Sequence, residues 1–165
     1  MATTLISLDP SSTSTGWALW DGDKLGLHAK IYPKGDVVAR IAIMCDYIAD
    51  IMSGKEVPQS AVIEWPSRVP FGRAAKNLSN YHIAAGAIVS VCWQCLGPEA
   101  VYGVYPQTWK GSVKKNVTIK LINELYGLDL TLSDDDIADA IGIGTWFVKR
   151  QDYNPLKPLV DSGVA

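Results

Sequence analysis

The sequence predicts an α/β fold on a five-stranded mixed sheet, three antiparallel strands followed by parallel additions, with helices on its faces. Three observations carry this expectation. Residues 5–32 hold three short apolar runs separated by turn-forming residues. Two further short runs, 60–65 and 100–105, each stop at a proline. Segments of helical periodicity separate and follow those later runs, the alternation that crossover connections between parallel strands produce.

Taken in order, Leu5-Ile6-Ser7-Leu8 delivers Asp9 to the end of a strand, and Pro10 to Gly16 punctuates the connection to a second run from Trp17. Asp21-Gly22-Asp23 supplies turn chemistry before a third run, Lys24 to Tyr32. Apolar residues at 37, 38, 41, 44, 45, 48, 51 and 52 then predict a helix, with Asp36 as N-cap and Gly54 as its stop. Ser60 to Glu64 is a buried strand that, like the first, ends at a carboxylate. A loop with Arg68, Phe71, Arg73 and Lys76 leads into a long, nearly uncharged helix from about Ala74 to Leu96, ended by Gly97-Pro98. Its apolar circumference predicts packing on two sides, one of them a second subunit. Ala100 to Tyr105 is the fifth strand. After a basic connector, Asn116 caps a helix to Tyr126 with Gly127 as its stop, and Ser133 with Asp134-Asp135-Asp136 opens a last helix to about Arg150.

At 165 residues and 48% hydrophobic content, one core is expected. The domain boundary is placed at 1–150, with 151–165 as a proline-spaced tail. The longest apolar stretch, Ile83 to Leu96, is too short to span a bilayer and carries Ser90 and Gln94. No basic residue precedes the short N-terminal apolar run, so a soluble intracellular protein is expected. The three cysteines fit a reducing compartment. Cys92-Trp93-Gln94-Cys95 matches C-x-x-C, but it lies in an apolar helix and lacks a second ligand pair, which favours two buried structural thiols. The six tryptophans lie mostly in apolar runs; Trp17, Trp20, Trp93 and Trp146 are expected in the core, and His82 at the surface or an interface rather than in catalysis.

Charge is unevenly spread. From Trp65 to Asn123 seven bases (Arg68, Arg73, Lys76, Lys110, Lys114, Lys115 and Lys120) face the single acid Glu99, a net +6 within a chain of net −2. A basic face for a polyanion and an ordinary solvated surface both account for this.

Asp9 poses the sharper question, because a carboxylate at the end of a central strand is costly to bury unless it is paired or holds a cation. It caps the amides of Ser11 or Ser12, or it is a metal ligand. In the predicted sheet the ends of Asp9's and Glu64's strands are neighbours. Asp136 and Asp139, three apart, share one face of the last helix and can meet them there. Capping accounts for Asp134 and Asp135 but not for Asp139. Converging carboxylates call for hard divalent cations, Mg²⁺ or Mn²⁺, and a pair of these suits phosphodiester hydrolysis.

On the motifs LDPSSTSTGWAL from Leu8, VIEWP from Val62, Trp109-Lys110 and DIADAIGIG from Asp136, the chain resembles the RuvC-type Holliday-junction resolvases of the ribonuclease H-like superfamily. The resemblance spans nearly the whole domain. It implies a ribonuclease H-like fold and a Mg²⁺-dependent endonuclease, with Mn²⁺ as substitute and two ions per site. Asp9, Glu64, Asp136 and Asp139 would be the metal ligands and Lys110 a supporting catalytic lysine. Lys114, Lys115 and Lys120 would contact phosphate alongside Arg68, Arg73 and Lys76. Phe71 either stacks on bases at the junction or packs at the helix entry. The implied partners are four-way DNA and a second copy of the chain, with no membrane, and the implied setting is the cytoplasm of a bacterial or phage-infected cell. Cellular members carry glycine where Ser11 stands, and the Ser/Thr-rich turn resembles the phage-encoded branch. Ribonuclease H itself takes a Glu from its first helix, where this chain offers only Asp46 and Asp50, so hybrid cleavage is the second expectation. A junction-binding protein whose carboxylates merely cap turns is the non-enzymatic alternative.

Overall fold

The computed structural model describes residues 4–54, 57–66 and 75–150, of which 75–78 by backbone only. Arg68, Phe71 and Arg73, the side chain of Lys76 and the tail 151–165 lie outside the described residues. The five-stranded sheet expected from sequence is present. Strands β1 (Thr4–Pro10), β2 (Thr15–Asp21), β3 (Lys24–Ile31), β4 (Ser60–Glu64) and β5 (Val101–Val104) lie in the order β3-β2-β1-β4-β5. The β1/β2 and β2/β3 pairs are antiparallel, whereas β1/β4 and β4/β5 are parallel.

Helix α1 (Val37–Met52) starts where expected, the Ala39 amide donating to Asp36 Oδ1 at 2.9 Å. It closes one residue before Gly54, with Ser53 as C-cap. Helix α2 (Ala75–Leu96) stops at Gly97, whose φ of +85° is one an L side chain resists. The four-residue α3 (Pro106–Trp109) begins on its proline. Helix α4 (Lys115–Tyr126) corrects the sequence expectation: Asn116 lies inside it and Lys114 stands at the N-cap. Gly127 closes α4 in the left-handed conformation, as its position predicts.

The entry to α5 (Asp135–Lys149) also differs. The cap belongs to a short turn at Leu132–Asp134, where Asp134 accepts from the Thr131 amide at 2.9 Å and the Thr131 hydroxyl at 2.7 Å. Ser133 instead shares a hydroxyl contact with Thr131 at 2.8 Å. The acid that reaches back to the chain is thus Asp134, and Thr131 holds the place assigned to Ser133.

Strand alternation divides the core in two. On one face Ile6, Leu8, Ala61 and Ile63 pack with Ile41, Met44 and Ile48 of α1 and Ala84 and Ile88 of α2. On the other Leu5, Ala18, Trp20, Val62 and Val104 pack with Ile122 of α4 and Ile141 and Ile143 of α5. Trp17 and Trp20 are buried as expected, whereas Trp93 and Trp146 are only half-buried. Cys92 is buried, but Cys95, in the last turn of α2, is exposed, so the C-x-x-C segment is not a buried pair. The outer side of α2 is mixed rather than apolar, with exposed Ile83 beside Ser90 and Gln94. No helix among the described residues is long and apolar enough to cross a membrane.

Two glycines let α5 lie close on the sheet and one lets it seat a neighbouring ring. A Cβ on Gly16 of β2 would stand 1.9 Å from the Asp136 carbonyl oxygen. One on Gly144 would stand 2.2 Å from Trp20 Nε1, and one on Gly142 would stand 2.4 Å from the six-membered ring of Trp109. Backbone rather than a movable side chain opposes Gly16, so the helix itself must shift to admit a methyl group. Gly16→Ala should therefore destabilise the protein by roughly 1–3 kcal/mol, read as a lower denaturation midpoint. Gly86→Ala, on a helical site with open space around it, should stabilise the protein by about 1 kcal/mol, read as a higher midpoint. Equal midpoints for Gly16→Ala and wild type would show that α5 does not rest on β2.

Candidate active site

Asp9 shares the parity of Leu5 and Ser7 on β1, and Glu64 that of Val62 on β4. Both carboxylates therefore leave the sheet on the α5 face. Their strands are parallel neighbours in the register Leu8↔Ile63, which puts the two acids level with each other at the strands' carboxyl ends. Asp9 also pairs with Gly16 across β1/β2, and Gly16 is where the first turn of α5 touches the sheet. Asp136 and Asp139 arrive by that contact.

The turn between β1 and β2 organises itself without Asp9. The Ser11 amide donates to the Ser14 carbonyl at 2.8 Å, and Ser11 Oγ accepts from the amides of Thr13 (3.3 Å) and Ser14 (3.1 Å). Among the described residues no donor reaches the Asp9 carboxylate, so the capping explanation fails for it. Instead the Ser14 hydroxyl donates to Asp136 Oδ2, tying the turn to α5.

Glu64 is held at both oxygens. Tyr81 of α2 donates to Oε1 at 3.1 Å, and Trp109 at the end of α3 donates to Oε2 from Nε1 at 2.7 Å. Asp139 takes the Lys110 ammonium at 2.6 Å, with only 7% of its side chain exposed. Lys110 also lies over the Trp109 ring, 4.8 Å from its centroid. Asp134 belongs to the turn before α5, and Asp135 is bound by Lys115.

The electrostatics follow from burial of like charge. Burial, then Glu64, Asp139 and Asp136, raises the Asp9 carboxyl well above its ordinary range, and Lys110 opposes this. Burial raises Glu64, countered by Lys110 and by the bonds from Trp109 and Tyr81. Asp139 is raised by burial and restrained by Lys110. Burial alone would lower Lys110; the bond and charge of Asp139 outweigh it and raise its pKa. Burial and the field of Glu64 push the Tyr81 hydroxyl far up, so it acts as a donor. Burial is the first cause for all three acids, and at Asp9 the like charges of the other carboxylates add to it, the response of a cluster short of positive charge.

The predicted residues Asp9, Glu64, Asp136, Asp139 and Lys110 thus come together. In the present arrangement, among the described residues, no three acidic, histidine or cysteine side chains close into a metal cage. Lys110, Trp109, Tyr81 and Ser14 take the carboxylate oxygens instead. Sequence reasoning assigned no contact to Tyr81, Trp109 or Ser14. Trp109 was visible only as the neighbour of Lys110, and Ser14 only as one of several small hydroxyl residues. Lys114 is exposed at the start of α4, Lys115 is 65% exposed and paired with Asp135, and Lys120 reaches Glu124 at 3.8 Å. Asp46 and Asp50 are exposed on α1 and are absent from the charges acting on Asp9, so the first helix adds no acid to the site.

No protein-family model and no curated protein matches the sequence. Solved structures do match the fold. A Thermus thermophilus RuvC in complex with Holliday junction substrate aligns with a TM-score of 0.74 and 18% identity, covering 95% of this chain and 99% of that one. A second Thermus thermophilus RuvC structure gives 0.62 and 16%, over 87% and 92% of the two chains. The yeast mitochondrial Holliday junction resolvase Ydc2 gives 0.55 and 11%, over 89% and 78%. The chain is similar to these three proteins along most of their length and has their α/β fold.

Proposed function

We propose that this chain is a metal-dependent endonuclease that nicks branched DNA, four-way junctions foremost, by phosphodiester hydrolysis. The observation that carries the proposal is the convergence of Asp9, Glu64 and Asp139, with Asp136 beside them, at one end of the sheet in a fold shared with a RuvC held on Holliday junction substrate. The donor set fits a divalent cation in kind. It offers hard carboxylate oxygens, one of them on an Asp9 that no described donor satisfies, and a shortage of positive charge that Lys110, with Lys115 at Asp139, partly offsets. Asp9, Glu64, Asp136 and Asp139 would hold the ions. Bound there, a pair of Mg²⁺ or Mn²⁺ ions supplies water activation and stabilisation of the leaving oxygen.

The chain's own residues have separable tasks. Asp9 and Glu64 hold the sheet side of the site. Asp139 and Asp136 close it from α5, with Asp136 fixed by Ser14. Lys110 neutralises Asp139 in the absence of a cation and is free to meet a phosphate oxygen when one takes its place. Lys115, whose charge acts on Asp139, would join Lys114 at the cap of α4 and Lys120 within it in supplying phosphate contacts that orient DNA without reading its sequence. Resolution of a junction takes two related cuts, for which a twofold pair of chains is the simplest source, with the α2 side carrying Ile83 as the candidate contact. Residues 1–150 would form the nuclease domain.

Asp9→Asn should keep junction binding and lose Mg²⁺-dependent nicking of a synthetic four-way junction; nicking that persists would overturn the assignment. Alanine at both Lys114 and Lys115 should lower the salt slope of junction binding by about 1–2. An unchanged slope would place the DNA on another face.

Stability gives an independent test of the carboxylate cluster. Because Asp9, Glu64 and Asp139 are raised in the fold, the folded chain keeps protons that the unfolded chain loses above the ordinary values of 3.8 and 4.5. Stability from these groups is therefore present at low pH and falls as pH rises through their folded values. In chelator-treated protein, Asp9→Asn should raise Tm at neutral pH, and its advantage over wild type should shrink as pH falls toward the ordinary carboxylate range. Mg²⁺ or Mn²⁺ should raise the wild-type Tm more than that of the variant. A difference in Tm that does not change with pH would mean that Asp9 is not in a repulsive cluster.

A further inference from the structure

We infer that Trp109 is a positioning residue for Glu64, and that Gly142 is glycine to seat it. The inference rests on the reading of Glu64 as a metal ligand and adds how that ligand is aimed.

A carboxylate that binds a cation well presents its oxygens in one direction, and a neighbouring donor that occupies one lone pair settles which direction that is. Trp109 Nε1 makes such a bond to Glu64 Oε2 at 2.7 Å, the shorter of the two its side chain accepts among the described residues. An indole has one donor and no acceptor, so it can hold a carboxylate but cannot compete for a cation. Tyr81, which bonds the other oxygen at 3.1 Å, lies on a different element, so the two donors grip Glu64 from α2 and α3.

The indole itself is placed by α5. Its six-membered ring occupies the space that a side chain at 142 would fill, with a built Cβ 2.4 Å from one ring carbon and 3.0 Å from the next. The ring packs against the core on the α5 face, and another side of it lines an open cleft of about 390 Å³ bordered by Leu121, Leu125 and Trp146. Room to turn away therefore exists. What keeps the N–H on Glu64 is the bond itself, the contact at Gly142 and the Lys110 ammonium over the ring, 4.8 Å from its centroid. Asp139 and Gly142 lie three residues apart on α5. The helix that supplies one carboxylate thus also fixes, through the indole, the direction of another that comes from β4.

Two substitutions separate the parts of this arrangement. Trp109→Phe removes the donor and keeps an aromatic ring at the site. Gly142→Ala keeps the donor and pushes the ring off its seat. The first measurement is the indole N–H spectrum of the metal-free protein, with the Trp109 resonance identified by its loss in Trp109→Phe. It should lie downfield and move upfield in both Glu64→Ala and Gly142→Ala; a resonance indifferent to both would overturn the inference. The second is direct titration with Mn²⁺ alone. Both Trp109→Phe and Gly142→Ala should bind it roughly 10–100-fold more weakly than wild type, with junction affinity in chelator unchanged. Mn²⁺ affinity equal to wild type in both variants would also overturn it. A wild-type protein that neither binds Mn²⁺ nor nicks a junction would overturn the positioning role together with the metal reading. A surviving indole signature would then mark the failure as that of the metal reading, because the grip on Glu64 would still be present.

Discussion

Carboxylates of like charge are buried together at the carboxyl ends of two adjacent parallel strands, and the rest of this structure depends on how that repulsion is contained. Its cause is geometric. Side chains alternate along a strand, and β1 and β4 run side by side, so Asp9 and Glu64 leave the sheet on one face with no strand between them. Burial then raises both, and the charge of Glu64 raises Asp9 further. An apolar pair at these positions would be easier to accommodate, so the arrangement makes sense where the field of the acids is put to use.

The containment is shared among elements that are distant in sequence. Glu64 is satisfied from α2 and α3, Asp139 by a lysine just beyond α3, and Asp136 by the turn after β1. Asp9 has no described donor. It is the carboxylate on which the charges of the other three all act, and the one left to whatever positive charge enters. Lys110 is close enough to the cluster to lower the cost of the metal-free state, bonded to Asp139 and drawn by the charges of Glu64 and Asp9.

Much of this was legible before any coordinates. The strands betray themselves by apolar runs that stop at Asp9-Pro10 and Glu64-Trp65-Pro66, and Asp139 by lying beyond the first turn of a helix among apolar neighbours. Those signals are local, which is why they survive in one sequence. The residues that grip the acids carry no such mark. Tyr81 is one aromatic in a long apolar helix, and its hydroxyl meets Glu64 only because α2 crosses β4 at that turn. Cap positions failed for a similar reason. Ser133 and Thr131 have equivalent chemistry, and the choice between them was made by Asp134, which bonds back to the Thr131 amide. Cys95 matched a motif by spacing, yet spacing does not tell a buried turn from an exposed one.

The last helix links the acid cluster to the packing of the sheet. Its sequence DIADAIGIG sets two acids among small and apolar residues. Each glycine removes a specific obstacle: Gly144 admits Trp20, whose Nε1 donates to Ser7 Oγ at 2.9 Å beneath the helix, and Gly142 admits Trp109. Gly16 does the same from the sheet side for the carbonyl of Asp136. A helix separated from the sheet by even one methyl group at these points would carry its carboxylates away from Asp9 and Glu64. Electrostatic interaction falls with distance and with the water a gap admits, so close packing and the strength of the cluster's field are one property of this structure.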